Sequence, residues 1–385
     1  MKKYIFWFIL TLSAYALVEL SSYVGLQVLK YVRHVEYAPM DLMSDRHRDI
    51  IGDLIARKSN YLAFSPTLGW SIKTNGSSKL AKANAAGMRS DKEYPPLPAP
   101  GHRRISTYGD SFTHGDEVKN SETWQAIMEA TDSSLEVLNY GVFGFGIDQA
   151  YLRYLEEADQ YKSKVVLIGF MSENIHRTVS TYRPFYASQT GIPLSKPRFA
   201  VKDDQLSLIP NPMTTIEDYQ LLLNEPEPTL ARLGANDYYF QRGYRAGALD
   251  WSPTQRLIKI LIQKIGNRLV GNHILSEGRY NPNSEAFRLT KKILSDFYHK
   301  IASDGATPMI LIFPTQVDVA THRAGERKVY EPLLQVLAQQ GFQYLDMMNA
   351  FESAVPVDAL FSGDHYSPFG NGLVAKYLML HLPGF

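Results

Sequence analysis

The chain has 385 residues, with 40 Lys and Arg against 39 Asp and Glu, and 45% of its residues are hydrophobic. That charge balance argues against a dedicated nucleic-acid binder, and the hydrophobic fraction argues against disorder. The absence of cysteine excludes disulfides, thiolate catalysis and Cys-ligated zinc or iron–sulfur sites, and leaves the compartment open.

The chain opens Met-Lys-Lys and is mostly apolar from Tyr4 to Val18, then again from Tyr23 to Leu29. A bilayer core takes about 20 residues to cross. A span of Tyr4–Tyr23 puts Glu19 one turn from the far interface, where it costs less than the ~2.5–3.5 kcal/mol of a mid-bilayer charge. Three readings are open: an uncleaved anchor, a cleaved signal peptide ending near Ala14-Tyr15-Ala16, or a buried helix of a soluble protein. The anchor is preferred, with the large domain outside the cytoplasmic membrane.

Leu54–Lys58 reads as a short helix, and Phe64 to Tyr94 as turns with alternating apolar positions. Pro95–Gly101 reads as a stiff extended linker and the clearest boundary. Beyond it strands and helices alternate. Strands are expected at Arg104–Tyr108, Leu135–Asn139, Lys164–Phe170, Pro308–Phe313 and Gln343–Asp346. Helices are expected at Trp124–Ala130, Gln149–Ala158, Ser284–Ser303, Tyr330–Gln339 and Gly372–Leu382. Short, continuous apolar strands such as Val165–Ile168 belong to parallel sheets covered on both faces, so the class is α/β. Proline crowds the stretch after Arg183. There Phe199–Leu208 reads as a hairpin around Asp203-Asp204, and Thr254–Val270 as an amphipathic helix. The resulting organisation is an anchor at 1–30, an extension and linker at 31–100, a core at 101–182 and 284–385, and an insertion at 183–283.

Ser111 follows the first core strand in Gly109-Asp110-Ser111, where open α/β sheets gather ligands. The second strand runs into Asn139-Tyr140-Gly141-Val142-Phe143-Gly144, the third into Ser172-Glu173-Asn174, and Asp364-His365 precedes the last helix. In a parallel sheet these ends share one edge. They would supply a nucleophile, backbone and amide donors for an oxyanion, and a general base.

These four blocks resemble the SGNH (GDSL-type) hydrolases, over roughly Arg103–Tyr182 and Lys291–Phe385. Leu68-Gly69-Trp70 and Asn84–Ser90 resemble the extension of that family's membrane-anchored bacterial members. The resemblance implies a flavodoxin-like three-layer fold and an esterase acting through an acyl-serine. It makes Ser111 the nucleophile, His365 the base, and Gly144 and Asn174 oxyanion donors. It implies no cofactor and no metal. Substrates would be acylated small molecules, glycans or lipids, cleaved by water or transferred to a hydroxyl. A non-catalytic glycan-binding envelope protein is the alternative. Two departures stand out. Glu173-Asn174 replaces the usual Asn-Asp, which displaces or weakens that donor. Ser362 occupies the usual acid position three before the histidine, which leaves Asp364 as the candidate acid and Asp358 in reserve.

Other candidates rank lower. His114 is a poorly directed neighbour of Ser111, and His176 reads as structural or a rim residue. Tyr182–Tyr186 either lines the cleft, where aromatic faces suit sugars and Arg183 suits an anion, or is insertion core. The basic helix within Thr254–Val270 either lies on anionic lipid or, as is commoner, packs into the core with its basic face solvated.

Overall fold

A computed structural model describes residues 1–33, 35–269, 273–351 and 355–382. The central sheet comprises β1 (Arg103–Tyr108), β2 (Leu135–Asn139), β3 (Val165–Met171), β4 (Thr307–Phe313) and β5 (Tyr344–Asp346). Every pairing is parallel, and the order is β2-β1-β3-β4-β5. That is the flavodoxin-like doubly wound order, whose switch point lies between the ends of β1 and β3.

The alternation of side chains along each strand feeds two cores. Val166, Ile168 and Phe170 of β3 and Ile310 and Ile312 of β4 join one cluster. Helices α3 (Ile147–Glu157) and α5 (Glu285–Ser303) pack there through residues such as Tyr154 and Phe297. Leu167, Met171, Met309, Leu311 and Phe313 point to the opposite face. There Trp124 and Met128 of α2 (Trp124–Thr131) meet Val374, Ala375 and Leu378 of α7 (Pro368–His381). A sixth helix, α6 (Glu331–Gln339), buries Leu333 and Leu337 on the first face.

Most boundaries match the sequence pattern to within two residues. The last helix begins at Pro368, four residues earlier than expected, because Ser367 caps it by accepting from the Gly370 N–H at 3.1 Å. Of the expected helix Leu54–Lys58 only Leu54 and Ile55 are helical; they end a longer helix, Asp45–Ile55, capped by Ser44, and Ala56–Lys58 lie in the turn beyond it. The hairpin in the insertion forms as expected, Arg198–Lys202 with Gln205–Ile209. Asp203 and Asp204, at φ of 50° and 58°, make the tight turn.

The proline-rich stretch is docked on the sheet rather than free. The Ala99 N–H donates to Glu136 on β2 at 3.0 Å, and Arg104 on β1 donates to the Pro96 carbonyl at 2.9 Å. The segment before it shares the first core. Trp70 is 1% exposed and its indole N–H donates to the Phe143 carbonyl at 3.0 Å. Gln149 of α3 donates to the Leu68 carbonyl at 2.7 Å. Arg89, also buried, donates to the carbonyls of His114, Gly115 and Val118 and to the Asn120 side chain.

Among the described residues a single helix, α1 (Lys2–Arg33), is long and apolar enough to cross a bilayer. Its second half lies beside α4 (Pro253–Leu269). The expected residue Val270 falls outside the described residues. The orientation of α4 reverses the core-packed arrangement with a solvated basic face: Arg256 and Lys259 turn to the protein, reaching Asp250, while Ile258, Leu261, Ile262 and Ile265 are exposed.

Arg89 is therefore expected to be a stability hub. Arg89→Met strands several buried carbonyls, each costing about 1–3 kcal/mol. The variant should unfold at clearly lower urea concentration, by about 3 kcal/mol or more, with a similar denaturant slope. Urea titration followed by circular dichroism measures it.

Candidate active site

The end of β1 sets the site. Gly109 leaves the strand, Asp110 caps a one-turn helix, Ser111–His114, and the Asp110 carboxylate accepts the Phe112 N–H at 2.8 Å. Its second oxygen accepts the Met171 N–H at the end of β3, at 3.2 Å, and the side-chain amide of Asn174. Asp110 thus ties the two strand ends at the switch point. Burial pushes its carboxyl pKa up, against the opposing pull of Arg177 and these donors.

Ser111, Gly144, Asp364 and His365 line one cavity of about 570 Å³ beyond these strand ends. Phe112, Asp116, Glu173, Arg177, Arg183 and Ile192 share its wall. Four of the expected site residues therefore converge. Asn174 does not line it; it is 1% exposed, behind Asp110, and Glu173 takes the wall position instead. Gly144 has φ of +73°, the left-handed conformation that favours glycine, and a Cβ there would also have to displace the tip of the Ile192 side chain. Its carbonyl accepts from Arg183 at 2.9 Å.

His365 stands on the second arm of a short hairpin, Phe361–Ser362 with His365–Tyr366, and packs on Phe112 with ring centroids 5.1 Å apart. Among the described residues, the carboxylates within ion-pair distance of its ring are Glu117, 3.4 Å from Nδ1, and Asp116, 3.9 Å from Nε2. Asp364 sits exposed at the hairpin turn. Asp358 accepts from Gln316 at 3.1 Å. The Glu117 carboxylate also lies against the hairpin turn, close enough that a Cβ on Gly363 would clash with both of its oxygens. Glu117 has φ of +69°, a left-handed conformation costly for a non-glycine residue, and its hydrogen bond to His365 holds its pKa low. Burial would depress the His365 pKa; the Glu117 hydrogen bond and the charges of Asp116 and Glu117 outweigh it and raise the pKa above the usual histidine value.

His114 is built differently. Its Nε2 lies 2.7 Å from the Tyr61 hydroxyl, and its Nδ1 pairs with Asp116. Burial, with Arg89 beside it, lowers its pKa to about 4. His176 pairs with the Tyr239 hydroxyl at 2.7 Å and stacks on Tyr186. No cluster of potential metal ligands occurs among the described residues.

No family model and no curated protein matches the sequence. Solved structures similar to the chain include two lipolytic proteins of the G-D-S-L family. That from Desulfitobacterium hafniense is 14% identical, with a TM-score of 0.35, over 72% of this chain and 97% of its own. That from Veillonella parvula is 13% identical, with a TM-score of 0.36, over 74% of this chain and all of its own. At that degree of superposition the similarity carries no functional weight, and the class is defined by the chain's own features. It is a doubly wound α/β protein with a serine, a histidine and carboxylates gathered at its switch point.

The raised His365 pKa fixes the sign of a pH test. A base must be neutral, so the acidic limb of kcat/KM should lie above pH 6.5, the ordinary histidine value. Glu117→Gln removes a contribution that raises the pKa, so the limb should move to lower pH while turnover at its plateau falls about 100-fold or more. Asp364→Asn should stay within a few-fold. Steady-state kinetics on a short-chain p-nitrophenyl ester reads all three.

Proposed function

We propose that the protein is a membrane-tethered serine ester hydrolase of the SGNH (GDSL-type) kind. What carries the reading is the shared cavity of Ser111 and His365, with Glu117 beside Nδ1 of the imidazole. His365 Nε2 takes the proton from Ser111 Oγ as that oxygen attacks an ester carbonyl. Glu117 orients the ring and stabilises the imidazolium that forms. The oxyanion is received by the backbone N–H groups of Ser111 and Gly144, each donor contributing about 2.7–4 kcal/mol. Asn174, committed to Asp110, is a supporting residue in this reading, not a direct donor. The imidazolium then gives its proton to the departing alcohol. Water, activated by the neutral histidine, cleaves the acyl-serine. Replacing that water by a sugar hydroxyl makes the same sequence an O-acyl transfer.

The anchor supports an envelope role: α1 in the cytoplasmic membrane with the domain on its outer side, and an acylated glycan, lipid or envelope polymer as substrate. One observation favours a second reading, a non-catalytic glycan-binding protein. Glu173 puts a carboxylate on the cavity wall at the block where an amide donor is expected.

Covalent labelling separates the two. In the full-length protein a fluorophosphonate should modify Ser111, and the label should vanish in Ser111→Ala and fall strongly in His365→Ala. An unlabelled wild-type protein that also fails to turn over any acyl ester would favour the binding protein.

A further inference from the structure

Helix α4 presents its apolar stripe outward. Ile258, Leu261, Ile262 and Ile265 follow the i, i+3, i+4, i+7 spacing of a single helix face, and each is 41–64% exposed. Trp251, just before the helix, is 66% exposed. The opposite side of α4 is fixed to the protein: Ile260 is buried, Lys259 pairs with Asp250, and Gln263 donates to the Arg242 carbonyl. The stripe is therefore held facing away from the body.

What lies against it follows from the neighbouring helix. Glu19 of α1 accepts from the Ser252 hydroxyl at 2.6 Å and from the Thr254 N–H at 3.2 Å. Ser22 meets the Thr254 hydroxyl at 3.0 Å, and Gly25 faces Leu257. If α1 spans with Tyr4–Tyr23 in the hydrocarbon, Glu19 lies one turn inside the far boundary of that core, and its bonds hold the start of α4 near that boundary. Around the helix, the stripe adjoins the side that meets α1. Tryptophan is enriched at this depth, and the segment Gln255–Val270 contains no acidic residue to oppose phosphate headgroups. Exposed Lys264 stands near the stripe.

We propose that α4 is a membrane-contacting helix whose Ile258, Leu261, Ile262 and Ile265 face meets lipid at the headgroup–acyl boundary, beside the α1 helix that crosses the bilayer. The inference rests on the spanning role of α1 and is independent of the chemistry at Ser111. It makes the membrane contact two-legged: α1 tethers the domain, and α4 fixes its tilt. Glu19 is satisfied by the domain itself, which accounts for a carboxylate within an otherwise apolar segment.

The lack of cysteine makes the test direct. Single-cysteine variants Phe8→Cys, Ile262→Cys, Ile265→Cys and Leu208→Cys of the full chain are labelled with an environment-sensitive fluorophore. They are placed one copy per nanodisc of mixed zwitterionic and anionic phospholipid. Thermal melting confirms that each remains folded. Nitroxide groups on the upper acyl chain should quench labels at 262 and 265 at least two-fold, and leave the label at 208, on the distant hairpin, unchanged. A deeper nitroxide should quench the label at 8. Labels at 262 and 265 that behave like the one at 208 overturn the proposal, as do blue-shifted but unquenched labels, which mean a protein covering. An unquenched label at 8 overturns both the span and the helix contact.

Discussion

The Asp110 carboxylate is the constraint on which the site depends. A parallel doubly wound sheet opens a crevice where β1 and β3 send their connections to opposite sides, and that crevice would gape without a tie. Asp110 supplies it. One oxygen fixes the start of the Ser111 turn, and the other takes donors from the end of β3 and from Asn174. A buried carboxylate is tolerable when its lone pairs are filled and a cation lies near, and Arg177 provides the latter. The tie also explains why Asn174 is unavailable at the cavity wall. Its amide is spent on holding the crevice together.

The second constraint comes from the segment before the sheet. Arg89 gathers the carbonyls of the loop that carries Asp116 and Glu117, and Tyr61 meets His114 at the loop's base. The residues preceding Pro95 therefore shape the very loop that reaches His365. A boundary drawn at the proline-rich stretch separates compositions, not structural duties. The core after that stretch holds Ser111, while the part before it holds the surroundings of Ser111 in place.

This division shows what a sequence makes legible. The strands were readable because β3 and β4 are buried on both faces, and such burial demands continuous apolar runs. Ser111, Gly144 and His365 were readable because strand ends and turns need particular local residues. Glu117 was not. Its partner is 248 positions away in a hairpin at the other end of the chain, and no local period announces a left-handed glutamate. Asp364, adjacent in sequence, lines the cavity and is exposed at the hairpin turn, whereas the carboxylates within ion-pair distance of the imidazole, Glu117 and Asp116, come from a distant loop. α4 shows the same limit. Its period was plain, but whether its apolar face met core or lipid depended on where α1 packed.

The surroundings of the two histidines move their pKa values in opposite directions. Asp116 can only accept, so the proton on the His114 imidazole sits on Nδ1. In the neutral ring, Nε2 is then an acceptor and takes the Tyr61 hydroxyl. A second proton on His114 would have to displace that hydrogen bond and would lie beside Arg89, whose Nη1 is 3.3 Å from Nδ1. Burial and that positive neighbour keep the ring neutral, in line with its pKa near 4. Asp116 consequently retains its full negative charge, and that charge faces His365 as well. At His365, Glu117, Asp116 and Asp110 together outweigh burial, so its pKa moves the opposite way. A ring held neutral by its surroundings suits a positioning role. A ring whose protonated form is stabilised suits a base that must carry a proton from one oxygen to another; Asp116 and Glu117 supply that stabilisation at His365, whereas at His114 Asp116 acts against the burial and the Arg89 charge that keep the ring neutral.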